Sequence, residues 1–416
     1  MNKLRYLFLM LVCIAGVLVT QAQNADNGFS KADRAYSYFV NGQGDSLYAV
    51  SSQEMQAAVS SQTLSMMFQQ LEGQCGKLKG VGQWTVENKT EYESFVRRMD
   101  FEHVALNIIL SFKGDTVVGI FFRPVQEPKP VRQLAENERN IKIVTGEFEL
   151  DGVLTLPVGG EGGKVPCAVL VHGSGAQDMD ETIGQCKPFR DLAEGLSRRG
   201  IAVVRYDKRT LKYQKFVPEG REMDYDAETV DDAVSAVALA KTFPKIDTSR
   251  IFVIGHSLGA MLAPRIASRS QDVAGIIMLA APARPLADIL PEQVKRMIEN
   301  GADSALITRN VEMIKNAAPQ SYWDFDRNYS PLQTARSLSL PMLILQGERD
   351  IQVTMSDFDM WKKAFSGKKN VTLKSYPTLG HIFTESDGKY HADEYSQPMS
   401  LADEVVNDIA LYIIRW

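Results

Sequence analysis

The spacing of apolar and polar positions changes character twice along the chain. A basic start at Lys3 and Arg5 leads into an apolar run, Tyr6–Val19, that closes on Thr20-Gln21-Ala22. This is the three-part layout of an export signal, and the run is shorter than the roughly 20 residues of a spanning helix. Residues 1–22 are therefore read as a signal peptide. The expected destination is periplasmic or extracellular, with no stable membrane insertion after cleavage. Val12 stands where a lipoprotein would carry a small residue, which argues against lipidation at Cys13.

Between Ala25 and Val125 the apolar residues first recur at helical spacing, over Ala32–Phe39 and Met55–Leu71. Strand-like runs follow over Gly80–Val86, Val104–Phe112 and Thr116–Phe122. Lys113-Gly114-Asp115 between the last two is a hairpin turn signal. Helices followed by a meander predict a small α+β domain over 25–125. Glu127-Pro128-Lys129-Pro130 predicts a linker over 126–140, because two prolines continue neither helix nor strand. His103 lies just before a strand and is expected at or near the surface.

From Ile141 to Trp416 short apolar runs alternate with helical stretches. The runs are Val165–Val171, Ile201–Tyr206, Ile251–Ile254, Gly275–Ala280, Met342–Gln346 and Val371–Tyr376. Helical spacing covers Phe189–Arg199, Ala227–Thr242, Ala260–Arg269, Asp357–Phe365 and Leu401–Arg415. Runs buried on both faces and separated by helices predict an α/β fold, a doubly wound and mostly parallel sheet over 141–416. Lys142–Leu156, turning at Asp151-Gly152, would add antiparallel edge strands. An insertion over about 283–338 is too long for a simple crossover and predicts a helical cap with helices at Pro291–Asn300 and Ser304–Ala317. Tyr322, Trp323, Phe325 and Tyr329 are read as packing between cap and core rather than as a substrate wall.

Composition narrows the possibilities. The 416 residues are 44% hydrophobic and 23% charged with a net charge of −5, which suits a folded chain and not a nucleic-acid binder. Removing Lys3 and Arg5 with the signal takes −5 to −7, and leaves Cys75, Cys167 and Cys186, an odd number. Cys167 sits in an apolar run and reads as a small buried hydrophobe. No metal-ligand spacing, phosphate loop or dinucleotide fingerprint occurs, so neither a metal nor a cofactor is expected. Gly159-Gly160-Glu161-Gly162-Gly163 reads as a flexible turn.

Four short motifs carry the candidate chemistry. Gly255-His256-Ser257-Leu258-Gly259 follows a buried strand and precedes a helix, the setting of a nucleophile elbow, with Ser257 as nucleophile. His172-Gly173-Ser174-Gly175 follows an earlier strand. Its loop is expected to supply one backbone donor to an oxyanion hole, either Ser174 or its neighbour Gly173, while Leu258 N–H supplies the other. His172 is then a loop-orienting residue. Gln346-Gly347-Glu348-Arg349-Asp350 places a carboxylate at a strand end, with Asp350 preferred and Glu348 as rival. Of the five histidines, His256 adjoins the serine in the elbow and points elsewhere, and His391 lies in a polar stretch. His381, in Leu379-Gly380-His381, remains as the general base. Asp178, Asp180 and Glu181 are read as an exposed acidic loop, the alternative being attraction of a substrate amine. Asp207, Lys208 and Arg209 are expected to pin neighbouring loops by ion pairing.

These four motifs, together with Arg205-Tyr206-Asp207-Lys208-Arg209, resemble the α/β-hydrolase superfamily, in particular bacterial secreted esterases and thioesterase- or aminopeptidase-like hydrolases. The chain order Ser257, Asp350, His381 is the order that superfamily uses. Thr210 departs from it, standing where a glycine often follows the Asp-Lys-Arg triplet. The N-terminal segment, ending in Gly119-Ile120-Phe121-Phe122-Arg123-Pro124, resembles a small domain of unknown function related to nuclear transport factor 2-like folds. The resemblance implies an exported serine hydrolase acting on small-molecule carboxylic esters through an acyl-enzyme. An aminopeptidase or acyl-thioesterase is the main alternative, and a binding protein on a hydrolase scaffold a remote one.

Overall fold

A computed structural model describes residues 26–416 apart from 90–91, 126–133, 160–162, 214, 303, 305–306, 309–310, 313–314, 316–317 and 392. The signal-peptide reading of residues 1–22, the Glu127–Pro130 linker motif and most of Ser304–Ala317 lie outside the described residues. The chain divides into two compact units, with the boundary between Arg132 and Gln133.

In the first unit, helices Asp26–Val40, Gly44–Ala49, Gln53–Ala58 and Ser61–Cys75 precede an antiparallel meander. Its strands are β1 (Leu78–Lys89), β2 (Tyr92–Phe101), β3 (Ala105–Lys113) and β4 (Thr116–Pro124), in that order. The turn Gly114-Asp115 joins β3 to β4 as the sequence indicates, with Lys113 paired to Thr116. The helix expected over Met55–Leu71 is two helices instead. Val59 is extended, and the Ser60 side chain caps the next helix by accepting Thr63 N–H. Strand β2 escapes the apolar pattern because Arg97 shares the inward face with Phe95, Met99 and Phe101. Its guanidinium covers the rings of Trp84 and Tyr36 at 4.6 and 5.0 Å, so a cation occupies a core-side position. His103 is exposed.

The second unit holds an eight-stranded sheet. Its strands are β5 (Glu138–Thr145), β6 (Phe148–Thr155), β7 (Val165–Val171), β8 (Ala202–Tyr206), β9 (Ile246–His256), β10 (Gly275–Leu279), β11 (Met342–Gly347) and β12 (Val371–Tyr376). They lie in the order β12-β11-β10-β9-β7-β8-β6-β5, parallel from β12 to β8, with β6 and β5 antiparallel at one edge. Alternate residues of the central strands feed opposite layers. Cys167, Val169, Val171, Val253 and Met278 enter one apolar cluster, and Ala168, Leu170, Phe252, Ile254 and Leu279 enter the other. Burial on both faces is why these strands read as continuous apolar runs.

Two local expectations change. The hairpin turns at Gly146-Glu147, not at Asp151-Gly152, which lie within β6. Gly152 is needed there by close packing, since a Cβ would sit 2.8 Å from the Arg205 carbonyl. The first cap helix runs Leu286–Glu299 and contains Pro291, so it begins before the proline. Helices Gln320–Asn328 and Pro331–Arg336 follow, and carry the aromatic group into the core. Tyr322, Trp323 and Tyr329 are buried, and the Tyr329 hydroxyl donates to the Met261 carbonyl at 3.0 Å. Among the described residues no helix is long and apolar enough to cross a membrane.

Candidate active site

The candidate residues stand on loops beyond the C-terminal ends of β7, β9, β11 and β12, the end at which open α/β sheets build their sites. Strand β9 ends at His256, and Leu258 already opens the helix Leu258–Arg269. Ser257 is all that turns the chain, and it does so at φ +52°, ψ −115°, a conformation that costs energy for a residue with a side chain. Only glycine fits on either side. A Cβ on Gly255 would lie 2.2 Å from the Gly259 carbonyl oxygen, and one on Gly259 would lie 2.2 Å from that of Val171. The Leu258 N–H, in the first turn of a twelve-residue helix, has no intrahelical acceptor and lies at the positive end of the helix dipole.

The loops that carry Asp350 and His381 are joined by backbone. Glu348 N–H donates to the Tyr376 carbonyl at 2.9 Å and Arg349 N–H to that of Leu379 at 3.0 Å. Gly347 permits this approach, because a Cβ there would lie 2.4 Å from the Leu379 carbonyl oxygen. The result is a buried hydrogen bond of 2.7 Å from His381 Nδ1 to Asp350 Oδ2. Asp350 Oδ1 accepts Gln352 and Val353 N–H at 2.7 and 3.0 Å, and Gln346 Nε2 donates to Oδ2 at 3.2 Å. A carboxylate fixed by three other donors holds its partner ring in one orientation, and leaves His381 Nε2 as the free ring nitrogen. Glu348 is exposed and accepts the Ser375 hydroxyl, so of the two acids only Asp350 meets the histidine.

The loop after β7 lies against the elbow. A Cβ on Gly173 would be 3.3 Å from that of Ser257. The Gly173 N–H is already engaged, donating to Glu181 Oε1 at 2.8 Å, which leaves Ser174 as the loop's candidate oxyanion donor. His172 is buried, with Nε2–H on the Asp178 carbonyl at 3.0 Å and its ring between Phe189 and Tyr206. Burial lowers its pKa to about 4, so it is a neutral brace for the loop.

The acidic loop is not exposed, and this is where the sequence reading fails. Glu181 is 1% exposed and Asp180 7% exposed. Asp178 accepts Asp180 N–H, Thr182 N–H and the Thr182 hydroxyl. Asp180 pairs with the buried Arg205 at 3.1 Å, and Glu181 Oε1 faces His256 Nδ1 at 3.1 Å. Burial alone would raise the Glu181 carboxyl, yet the His256 ring and the Gly173 N–H hold it below its ordinary range. Burial likewise opposes charge on His256, but Glu181 outweighs it and raises the ring's pKa. His256 Nε2 lies 3.0 Å from the His381 carbonyl oxygen, and the two rings pack at 4.8 Å. Thus His256 points away from Ser257, as expected, but it braces the loop that carries His381. Sequence gave no sign of either role, because burial of an acid ten residues past a strand end leaves no periodic trace.

The Asp-Lys-Arg triplet pins loops as expected. Asp207 accepts Met179 N–H, Lys208 pairs with Glu228, and Arg209 pairs with Asp232. Thr210 donates to the Gly175 carbonyl at 3.3 Å, so the departure at this position adds a tie to the loop after β7. Cys75, Cys167 and Cys186 are free and buried, and burial pushes the Cys167 thiol up to about 12.

Comparison with known proteins agrees with this architecture. Residues 225–385 match a family described as alpha/beta hydrolase fold, and residues 32–120 match one described as a protein of unknown function (DUF3887). The latter match does not carry the expected nuclear transport factor 2-like likeness. Esterase EstD of Thermotoga maritima is 34% identical over 382 residues, 88% of this chain and 90% of that protein. A putative carboxymethylenebutenolidase of Methylorubrum extorquens is 25% identical over 258 residues, 58% of this chain and 72% of that one. Among solved structures, the Pyrococcus furiosus esterase Pf2001 aligns with a TM-score of 0.47 at 18% identity, over 70% of this chain and 97% of that chain.

Proposed function

We propose, for a chain that belongs to the α/β-hydrolase family together with the Thermotoga esterase and is a hydrolase of the carboxylesterase type, that catalysis runs through a Ser257–His381–Asp350 triad. The observation that carries the proposal is the buried 2.7 Å pair of His381 and Asp350, the His381 ring packed at 4.8 Å against that of His256, the residue before the strained Ser257.

Ser257 Oγ attacks the ester carbonyl while His381 Nε2 takes its proton, and Asp350 holds Nδ1–H and stabilises the imidazolium. The carbonyl oxygen becomes an oxyanion, which the N–H groups of Leu258 and Ser174 receive. His381 returns the proton to the leaving alcohol, giving an acyl-enzyme. Water, deprotonated by His381, then releases the acid and restores Ser257. The engagement of Asp178, Asp180 and Glu181 in internal bonds favours an ester over an aminopeptidase substrate, since these acids are committed before any amine arrives.

A fluorophosphonate probe tests the nucleophile: labelling of the wild type that persists in Ser257→Ala refutes it. A panel of short acyl esters, aminoacyl anilides and acyl thioesters tests the bond class, and faster turnover of anilides than of esters overturns the esterase reading. We also propose export with loss of residues 1–22, supported by the apolar run and its basic start. N-terminal sequencing of protein recovered outside the cytoplasm tests this, and a retained Met1 refutes it.

A further inference from the structure

We propose that Lys208 is a positioning residue for the Ser174 N–H, aiming it at the oxyanion through the peptide that joins Gly173 to Ser174. The inference rests on the triad reading and extends it to a residue outside the four motifs.

Lys208 Nζ is buried and donates to the Gly173 carbonyl at 3.0 Å. That carbonyl and the Ser174 N–H belong to one peptide unit, and no cis peptide occurs among the described residues. In a planar trans unit the two groups point in opposite directions. Whatever fixes the Gly173 carbonyl therefore fixes the Ser174 N–H on the far edge. A Cβ on Gly173 would lie 3.3 Å from that of Ser257, and the Gly173 N–H is held by Glu181 at 2.8 Å. The two peptide units flanking Gly173 are thus held separately, one by a carboxylate and one by an ammonium. A cation on the carbonyl also polarises the unit, strengthening the N–H as a donor.

Lys208 is itself oriented by Glu228 Oε1 at 2.6 Å. Glu228 comes from a single π-helical turn, Asp226–Val230, ahead of the helix Asp231–Ala240, an irregularity often found at functional sites. A buried ion pair adds little net stability compared with apolar side chains of the same volume, so fold stability alone does not explain this one.

The test compares the wild type with Lys208→Met and with Lys208→Met/Glu228→Gln, using a short p-nitrophenyl ester. The double variant matters because the single one leaves a buried carboxylate without its partner and can unfold for that reason. In the double variant, with a melting temperature near that of the wild type, kcat is expected to fall about 10- to 100-fold with KM changed less than about twofold. Affinity for an arylboronic acid, which forms a tetrahedral adduct on the serine, should weaken in proportion to kcat. Unchanged kcat in the folded double variant, or a change confined to KM, overturns this inference alone when Ser257→Ala is inactive. Full turnover by Ser257→Ala overturns the triad reading and the inference with it.

Discussion

Glu181 Oε1 and His256 Nδ1 face each other at 3.1 Å with both side chains buried. The other ring nitrogen of His256 faces the His381 carbonyl oxygen at 3.0 Å. A carbonyl and an ionised carboxylate are both acceptors, so the ring satisfies the two only with a proton on each nitrogen. The pair is accordingly an imidazolium beside a carboxylate, in keeping with a raised His256 and a lowered Glu181. It links the loop after β7, through Gly173, to the loop that carries His381. Glu181→Gln keeps an acceptor for Gly173 N–H but removes the counter-charge. Loss of one partner of a buried pair is expected to cost roughly 3 kcal/mol, read by urea denaturation at pH 6. Stability equal to the wild type at that pH would show that the pair is uncharged.

The histidines predict a stability maximum in pH. His256 has a raised pKa in the folded state, so its contribution is complete below the unfolded value near 6.5 and is lost as pH rises through the folded value. His172 has the opposite sign. Its folded pKa of about 4 lies below the unfolded value, so stability falls as pH drops from about 6.5 towards 4, by about 3 kcal/mol in all. Glu181, lowered in the fold, adds to the acid limb below its unfolded value near 4.5. Melting temperature against pH should therefore peak near 6 to 7. His172→Gln, which can still donate to the Asp178 carbonyl, should flatten the acid limb, and Glu181→Gln the alkaline one. A profile that His172→Gln leaves unaltered would remove that residue from the account.

What the sequence could and could not reveal follows from the range of the interactions. The central strands are buried on both faces, and Ser257 is framed by glycines that its turn requires, so both leave local marks. The pairing of Asp350 with His381 was legible because each residue follows a strand end. Glu181 and His256 meet across 75 residues of sequence, and although loop pinning by Lys208 was expected, its bond to the Gly173 carbonyl, 35 residues away, was not. No periodicity encodes such a contact. The same limit hid β2, where Arg97 takes an inward position against the rings of Trp84 and Tyr36, with Asp33 and the Gly82 carbonyl as its polar partners.

Gly259→Ala should abolish the elbow. The added methyl carbon would stand 2.2 Å from the Val171 carbonyl oxygen and 2.6 Å from that of His172, both backbone atoms that cannot swing aside. Either β7 or the helix Leu258–Arg269 must shift, and overpacking of this kind costs about 3 kcal/mol or more. Fluorophosphonate labelling is expected to vanish even in soluble protein. Gly163→Ala provides the contrast: a Cβ there meets nothing within 4 Å, though φ is +67°, so only a modest loss of melting temperature is expected. Equal labelling of the two variants would mean that the close approach at Gly259 relaxes without consequence.

The last prediction separates the two acids of the β11 loop. In Asp350→Asn the amide oxygen can still accept Gln352 and Val353 N–H, so the loop should keep its shape. The amide nitrogen would then face His381 Nδ1 as a donor. The ring must answer as an acceptor, moving its proton to Nε2 and losing the capacity to take one from Ser257. A fall in kcat of about 10⁴ is expected, with folding little changed. Glu348→Gln, altering an exposed acid bonded to Ser375, should stay within about twofold of the wild type. Steady-state kinetics on one ester decide the matter. A large loss in Glu348→Gln together with an active Asp350→Asn would reassign the acid of the proposed triad.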